Sequence, residues 1–323
     1  MGGSTKQALL QALSAAEGAY ISGQQLAEAL GVSRAAVHKA AQALLAQGYA
    51  LDSAPRRGYR LAGGDPFCAE AVGPYPAPIH IYDTLQSSNL TAKQLALGGA
   101  PHGTLVLTAH QKAGRGRLGR RFESPAGKGV YLSLILRPAL SAADAQSATI
   151  SAAVAVARAV KALCGLELGI KWVNDLYYQG RKVCGILTEA ALDMESGMLD
   201  YAVLGLGFNI TAPPDGWPAE LQDVAGALFD DAPPPGARAA LAAAFLNEFW
   251  ALYHGVPKPE YLPEYRARQA LLGQTVTVTP RNGTPRKAEA LDIDEDCRLV
   301  VRFAGEHNSV PLRGEEVHLG KYL

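Results

Sequence analysis

The sequence predicts a multi-domain protein: a mostly helical N-terminal unit, a central mixed α/β core and a small all-β module at the end. Three observations carry this. The chain has 323 residues, too many for one ordinary hydrophobic core. Apolar residues recur at helical spacing in the first part, and apolar β-prone runs alternate with Ala-rich helical ones in the middle. The last stretch of about fifty residues changes to short β-prone runs divided by turn residues.

In the N-terminal part, Thr5 to Ala16 is expected to be a helix burying Leu9, Leu10 and Leu13. Ser22-Gly-Gln-Gln25 has the pattern of a capping box, a hydroxyl at the cap and an amide three residues on. It opens a short helix to Leu30, which Gly31 stops. Ser33 caps a third helix, Arg34 to Gln47, with Val37, Ala41, Leu44 and Leu45 as its inner stripe. Tyr49 to Asp52 and Gly58 to Leu61 flank Pro55-Arg-Arg-Gly58 as a two-stranded wing. Helix, tight turn, helix and wing together predict a winged helix-turn-helix. Gly63-Gly64-Asp65-Pro66 then has the composition of a linker.

In the middle, strands are expected at Thr104–Ala109, Val130–Leu136, Leu168–Trp172, Val183–Ala190 and Leu199–Leu206. Gln179 to Lys182 is expected to be a hairpin-like turn, and Asp144 to Leu163 and Ala237 to Tyr253 are expected to be helices. At the end, Thr275–Thr279, Arg286–Ile293, Arg298–Phe303 and Asn308–Leu312 are short runs at regular spacing, which predicts a small barrel.

The bulk numbers exclude several classes. Lys+Arg and Asp+Glu both number 30, so no global field draws the chain to nucleic acid or membrane, and any such binding is local. Four cysteines, Cys68, Cys164, Cys184 and Cys297, lie far apart without CxxC spacing, which fits reduced thiols in the cytoplasm better than disulfides or a zinc knuckle. Met1 to Lys6 lacks an apolar signal core, and the run Ile150 to Leu163 is broken by Arg158 and Lys161, so no membrane span is expected.

Four segments carry candidate chemistry. Gln111 to Arg121 holds five basic residues and three glycines and no acid. Glycines let backbone N–H groups approach an anion, and arginine forks bind phosphate or carboxylate bidentately. On composition alone a solvated basic loop or a nucleic-acid contact fits equally well, and no G-K-[ST] closes it as a Walker A loop. Lys171-Trp-Val-Asn-Asp175, at a strand end, offers an ammonium beside Asn174 and Asp175 that can face a ligand, or simply a turn with a surface lysine. Gly205-Leu-Gly-Phe-Asn209 puts glycines inside a strand, where a ligand or another backbone approaches closely. Ser87-Ser88-Asn89 opens a helix, Leu90 to Ala96, and either caps it or reads a polar ligand.

The order of these motifs is more specific than any of them. Gln111 to Arg121 with Ser124-Pro125, then Gly129 to Ser133, Lys171 to Leu176, Arg181 to Leu187 and Gly205 to Asn209 resemble biotin protein ligases. The winged helix in front resembles the bifunctional bacterial type, which is also the biotin operon repressor. The resemblance covers nearly the whole chain.

The resemblance implies a winged helix-turn-helix over residues 1–65, a class II synthetase-like ligase core over 66–268 and an SH3-like barrel over 269–323. It implies an enzyme that converts biotin and ATP, with Mg2+, to biotinyl-5′-AMP and passes biotin to a lysine of a biotin carboxyl carrier domain. Ser87, Ser88, Asn89, Gln111, Gly114, Arg115, Gly116, Arg117, Lys171 and Gly185 would bind biotin. Arg117, Arg120, Phe122, Asn174 and Asn209 would bind ATP or the adenylate, Arg115, Arg117 and Lys171 would be catalytic, and Asp175 would meet Mg2+ with ATP. Ser88 stands where the family has threonine, Phe122 where it has tryptophan and Val173 where it has proline.

For operator DNA, Ser33, Arg34, Ala35, His38, Lys39 and Gln42 would enter a major groove while Arg56 and Arg57 on the wing reach backbone. A homodimer is expected when the adenylate is bound. Two rival readings share parts of this pattern. A lipoate ligase has the same core fold without the GRGRxGR loop. A sensor that binds biotin without turnover keeps the winged helix and has no need of Lys171.

Overall fold

The computed structural model describes residues 5–137, 145–192, 199–234, 236–253, 261–280, 283–314 and 317–319. The expectations for Met1 to Ser4 and for Asp144 lie outside these residues. The chain forms two compact units, one of Met1–Tyr75 with Ala232–Ala243 and one of Pro76–Asp231 with Ala244–Leu323.

The first unit begins with three helices, α1 (Thr5–Ala15), α2 (Gly23–Leu30) and α3 (Arg34–Ala46). The capping box at Ser22 forms: Ser22 Oγ accepts from Gln25 N at 3.2 Å and Gln25 Oε1 accepts from Ser22 N at 3.1 Å. Gly31 closes α2 in the left-handed region at φ 64°, and Ser33 Oγ accepts from Ala36 N at 3.1 Å to start α3. Leu9, Leu13, Leu26, Val37, Ala41 and Leu44 pack into one core. Leu45, expected inside, is 42% exposed and Ala40 takes its place, so the buried stripe is rotated about the helix relative to the apolar pattern.

Strands β1 (Tyr49–Ala54) and β2 (Gly58–Gly64) form the antiparallel wing, and a short helix α4 (Ala69–Val72) follows. The wing is tied to the helices by two bonds between Tyr59 and Ile21, N–H to carbonyl in each direction, both 2.9 Å. That approach requires glycine at 58: its φ is +93°, and a Cβ there would collide with the Ile21 carbonyl and Ser22 Cα.

The second unit is built on a seven-stranded mixed sheet. Its strands are β3 (Ile79–Tyr82), β4 (Leu105–Thr108), β5 (Gly129–Leu136), β6 (Gly169–Lys171), β7 (Asp175–Tyr178), β8 (Arg181–Leu192) and β9 (Leu199–Asn209), ordered β3-β4-β5-β9-β8-β7-β6. Only the β3–β4 pair is parallel. Helix α5 (Ser88–Leu97) packs on β4, β5 and β9, while α6 (Ala145–Cys164) packs on β7, β8 and β9. From Ala244 on, helix α7 (Ala237–Tyr253) belongs to this unit and stacks Phe245 and Phe249, with Phe245 meeting Phe208 of β9, and α8 (Leu262–Ala267) packs on α6.

By length and composition α6 is apolar enough to cross a membrane, contrary to the sequence expectation. Ala152 to Ala157 and Ala159 to Val160 are fully buried, however, so its apolar surface is that of a core helix covering a sheet. Strands β3 and β7 escaped the sequence pattern. Each is four residues long and mostly half-buried, Ile-His-Ile-Tyr and Asp-Leu-Tyr-Tyr, so neither shows the continuous apolar run that marks the equally short β4.

The terminal strands β10 (Thr275–Pro280), β11 (Arg286–Ile293), β12 (Leu299–Phe303), β13 (Ser309–Leu312) and β14 (Val317–Leu319) make a five-stranded antiparallel sheet, β13-β12-β11-β10-β14. Among the described residues this sheet is open: β13 and β14 are its edges and do not pair, so the expected closed barrel is not seen.

Gly58→Ala should detach the wing and destabilise the first unit by more than about 1 kcal/mol. Chemical unfolding followed by helix circular dichroism checks this, and an unchanged midpoint would remove the steric argument.

Candidate active site

A cavity of about 380 Å3 lies on the β8–β9 face of the second unit. Its floor is made by glycines. Gly185 of β8 pairs with Gly207 of β9, and Gly205 lies two residues away on the same face. A Cβ on Gly207 would strike the Phe122 ring, and one on Gly205 would strike the Asn89 amide. The glycine-in-strand signal therefore reports close approach of protein side chains that line the cavity.

One wall is the start of α5. Ser87 is the cap residue by backbone geometry but makes no side-chain capping bond, so the capping reading fails for it. Ser87, Ser88 and Asn89 are 3–4% exposed and line the cavity. A buried hydrogen-bond chain fixes them. Ser88 N donates to Gln111 Oε1 at 2.8 Å, and Gln111 Nε2 donates to Ser124 Oγ at 2.9 Å. Ser124 Oγ in turn donates to the Phe122 carbonyl at 3.1 Å. The head of the cavity and the glycine-rich loop are thus one hydrogen-bonded body.

That loop forms the next wall. It folds back through a bridge between Arg115 and Arg121, a 2.7 Å bond from Gly116 N to the Arg120 carbonyl, and a 3-10 turn at Arg117–Gly119. Gly114 does not line the cavity: a Cβ there would meet the Phe122 carbonyl and Ser124 Oγ, so this glycine serves the loop's own packing. The remaining residues expected for biotin or nucleotide, Ser87, Ser88, Asn89, Gln111, Arg115, Gly116, Arg117, Lys171, Gly185, Arg120, Phe122, Asn174 and Asn209, all line it, as does Asp175.

The β6–β7 turn closes the end with Lys171, Trp172, Asn174 and Asp175. Asn174 donates Nδ2 to the Ile186 carbonyl and accepts from Arg117 Nη1 at 3.2 Å. Arg117 Nη2 donates to the Gly314 carbonyl, beyond β13. Trp172 Nε1 donates to the Cys297 carbonyl at 3.1 Å, and Tyr265 donates to the Val173 carbonyl at 2.9 Å. The C-terminal sheet and α8 thereby hold the lysine-bearing turn. The last side is Trp217, Leu221, Val224 and Ala225, for which the sequence showed no motif.

The charge balance is one-sided. Arg115, Arg117, Arg120, Arg121, Lys171 and Lys182 face Glu123 and Asp175, the only carboxylates among the described residues of the lining. Arg121 pairs with Glu123 at 3.4 Å and Lys182 with Asp175 at 2.6 Å. Burial pushes the Lys171 ammonium below the ordinary lysine range; Asp175 works against this, while Lys182 and Arg120 add to it. Lys182 carries no assigned role in the sequence pattern although it stands inside the Arg181 to Leu187 motif. No group of three or more His, Cys, Asp or Glu suited to a metal occurs among the described residues. Asp175, expected to meet magnesium together with ATP, is ion-paired with Lys182 at 2.6 Å.

On the first unit, Arg34, Ala35, His38, Lys39 and Gln42 form an exposed face of α3, with Arg56 and Arg57 exposed on the wing. Ser33 uses its hydroxyl as the cap. His38 Nδ1 lies 3.1 Å from Tyr59 Oη, tying α3 to the wing, and the Arg57 guanidinium stacks 4.2 Å from the Tyr20 ring centre.

Comparison with known proteins agrees with this arrangement. Residues 82–209 match the Biotin/lipoate A/B protein ligase family, and residues 5–60 match an HTH domain. A ligase of that class with a helix-turn-helix in front is what the two matches define. The chain is 34% identical over 305 residues to the bifunctional ligase/repressor BirA of Bacillus subtilis (strain 168), covering 91% of this chain and 92% of that protein. The Escherichia coli (strain K12) BirA is 32% identical over 201 residues, 60% of this chain and 61% of that protein. The chain belongs to the bifunctional ligase/repressor family of biotin protein ligases. In fold it resembles the biotin protein ligase from Aquifex aeolicus in complex with biotin and ATP, with a TM-score of 0.61 at 20% identity over 76% of this chain and 99% of that one.

Lys171 should lose its proton below 10.5, the ordinary lysine value. Titration of 13C-labelled lysine side chains by NMR, with Lys171→Arg to assign the signal, checks this. A midpoint at or above that value would contradict the burial argument.

Proposed function

We propose that this chain is an ATP-dependent biotin protein ligase and a biotin-responsive repressor of transcription. The observation that supports it best is the cluster of six cationic side chains around one cavity whose far end is a rigid, neutral hydrogen-bonding wall. Such a cavity suits a ligand with a polar uncharged head and an anionic tail, together with a polyphosphate.

In the first step the biotin carboxylate attacks the α-phosphorus of ATP, forming biotinyl-5′-AMP and expelling pyrophosphate. The two reactants are both anions, so Arg115, Arg117 and Lys171 offset their repulsion and the charge that grows at phosphorus. Arg120 and Lys182 add to the same field. Phe122 lies on the glycine floor as an apolar face for adenine. Asn209 is 5% exposed, with Nδ2 donating to the Gly226 carbonyl at 2.9 Å and Oδ1 buried without a hydrogen-bond partner among the described residues. That oxygen suits the amino group of adenine. Magnesium is proposed only as a counter-ion carried on the phosphates of ATP.

In the second step the ε-amine of a lysine on a biotin carboxyl carrier domain attacks the anhydride carbonyl, and AMP leaves. Closure of the loop Arg115–Arg121 over the adenylate excludes water until the acceptor arrives. We assign residues 1–65 to operator binding, 66–268 to a class II synthetase-like ligase core and 269–323 to an SH3-like module. The adenylate-bound protein is proposed to dimerise on operator DNA, with the exposed face of α3 in the major groove, and to act in the cytoplasm.

Incubation with biotin, Mg-ATP and a carrier domain should add one biotinyl group to the acceptor, read by mass spectrometry. Lipoate in place of biotin should add nothing, and an acceptor that gains lipoate instead overturns the assignment. Lys171→Ala should slow pyrophosphate release by roughly 3–4 kcal/mol of barrier, about a hundred- to a thousandfold. Near-normal release would refute that role for Lys171, whereas biotin binding without any pyrophosphate release by the unaltered protein would favour the sensor. Arg117→Ala should speed dissociation of the adenylate about tenfold or more, because a charge-assisted fork is lost. Stopped-flow release of labelled adenylate measures it, and an unchanged rate counts against that contact.

A further inference from the structure

Asn89 is one of the residues that line the head of the cavity, yet its amide is almost fully engaged inside the protein. Nδ2 donates to Glu189 Oε2 at 2.9 Å and to the Leu187 carbonyl at 3.3 Å. Oδ1 accepts from Ser133 Oγ at 2.6 Å and rests on Gly205. Glu189, on β8, does not itself reach the cavity. Its other oxygen accepts from Lys93 Nζ at 2.5 Å, one turn beyond Asn89 on α5. A carboxylate can only accept, so it forces the NH2 end of Asn89 toward itself and the oxygen end toward Ser133. Burial works to raise the Glu189 pKa, but hydrogen bonds from Lys93 and Asn89 and the nearby Arg115 charge hold it below the usual carboxylate range. The group is ionised at neutral pH, and the orientation is set.

The orientation has a consequence for the ligand. Ser133 has one hydroxyl proton and two close acceptors, Asn89 Oδ1 at 2.6 Å and Ser88 Oγ at 2.8 Å. With Asn89 held oxygen-first, Ser133 gives its proton to Asn89. The 2.8 Å contact between the two hydroxyls is then carried by the Ser88 proton, Gln111 Oε1 being served by Ser88 N–H, so the lone pairs of Ser88 stay open toward the cavity. A reversed Asn89 would donate to Ser133, which would turn its own proton onto Ser88 and fill that acceptor.

We infer that Glu189, backed by Lys93, is a positioning residue that fixes the Asn89 amide and so makes Ser88 an acceptor for an N–H donor of the ligand head, such as the N–H of a cyclic urea. The inference rests on the ligase reading and adds two residues that no sequence motif had singled out. Glu189 acts through Asn89 and Ser88 and is not itself catalytic.

The test uses the full-length protein and a near-isosteric change. In Glu189→Gln, Lys93 still claims the carbonyl oxygen at position 189, so the new NH2 faces Asn89 and drives its reversal. Biotin affinity, by isothermal titration calorimetry, should fall about tenfold or more, while the KM for ATP and the melting temperature stay near wild type. Adding Lys93→Met releases the substituted amide at position 189 to turn its oxygen toward Asn89. The double variant should recover biotin affinity to within about threefold of wild type, a rescue that a simple packing defect would not produce. Wild-type affinity in Glu189→Gln, or a double variant no better than the single one, overturns the inference while leaving the ligase reading intact. Failure of the unaltered protein to bind biotin overturns that reading, and this inference falls with it.

Discussion

Like charges held at close quarters are the constraint on which the rest of the second unit depends. Two unit charges about 4 Å apart near a protein surface repel by roughly 4 kcal/mol. Six cationic side chains around one cavity therefore need local compensation before any ligand arrives. They find it in different ways. Lys182 and Arg121 take the carboxylates of Asp175 and Glu123. Arg117 donates to Asn174 Oδ1 and to the Gly314 carbonyl. Lys171 is partly buried, and its ammonium is disfavoured there. Among the described residues the lining carries six cationic side chains and two carboxylates, a composition that suits an anionic ligand.

The second requirement is that the cationic groups and the neutral head wall keep one geometry. Glycines at 185, 205 and 207 lower the sheet floor so that Phe122 and Asn89 lie directly on backbone. The chain from Ser88 through Gln111 and Ser124 to the Phe122 carbonyl ties the two ends of the loop to the start of α5. Bonds from Trp172 to Cys297, and from Arg117 to Gly314, draw the C-terminal sheet into the same assembly. That sheet contributes no group to the cavity lining among the described residues, yet it holds the turn that carries Lys171. Buried polar chains of this kind are costly when incomplete, which ties ligand recognition to correct folding of the whole unit.

Much of this was legible in the chain itself. Ser22, Gln25, Gly31 and Ser33 act locally, through bonds spanning three or four residues, and their helix boundaries were readable to within a residue or two. The long strands β5, β8 and β9 announce themselves by apolar runs too β-prone for helix. The cavity lining expected from the glycine-rich loop and the lysine turn assembled almost complete, Gly114 excepted. What escaped was short or non-local. β3 and β7 are four residues each and mostly half-buried, with polar residues breaking any apolar run. The Trp217–Ala225 side of the cavity has no periodicity, and Lys93, Ser133 and Glu189 have no motif because their roles exist only across elements.

By itself the sequence determined the local architecture and the inventory of charge: where helices start and stop, which segments are rigid turns, and which stretches bring cations and glycines without acids. These depend on interactions within a few residues, so adjacency along the chain is enough to see them. Tertiary structure alone decided which polar groups stay available to a ligand. Ser87 is freed from capping, Asn89 is held by a glutamate 100 residues away, and Asp175 is claimed by Lys182. Donor and acceptor capacity is used up by neighbours in space, and no spacing rule along one chain records which neighbours those will be.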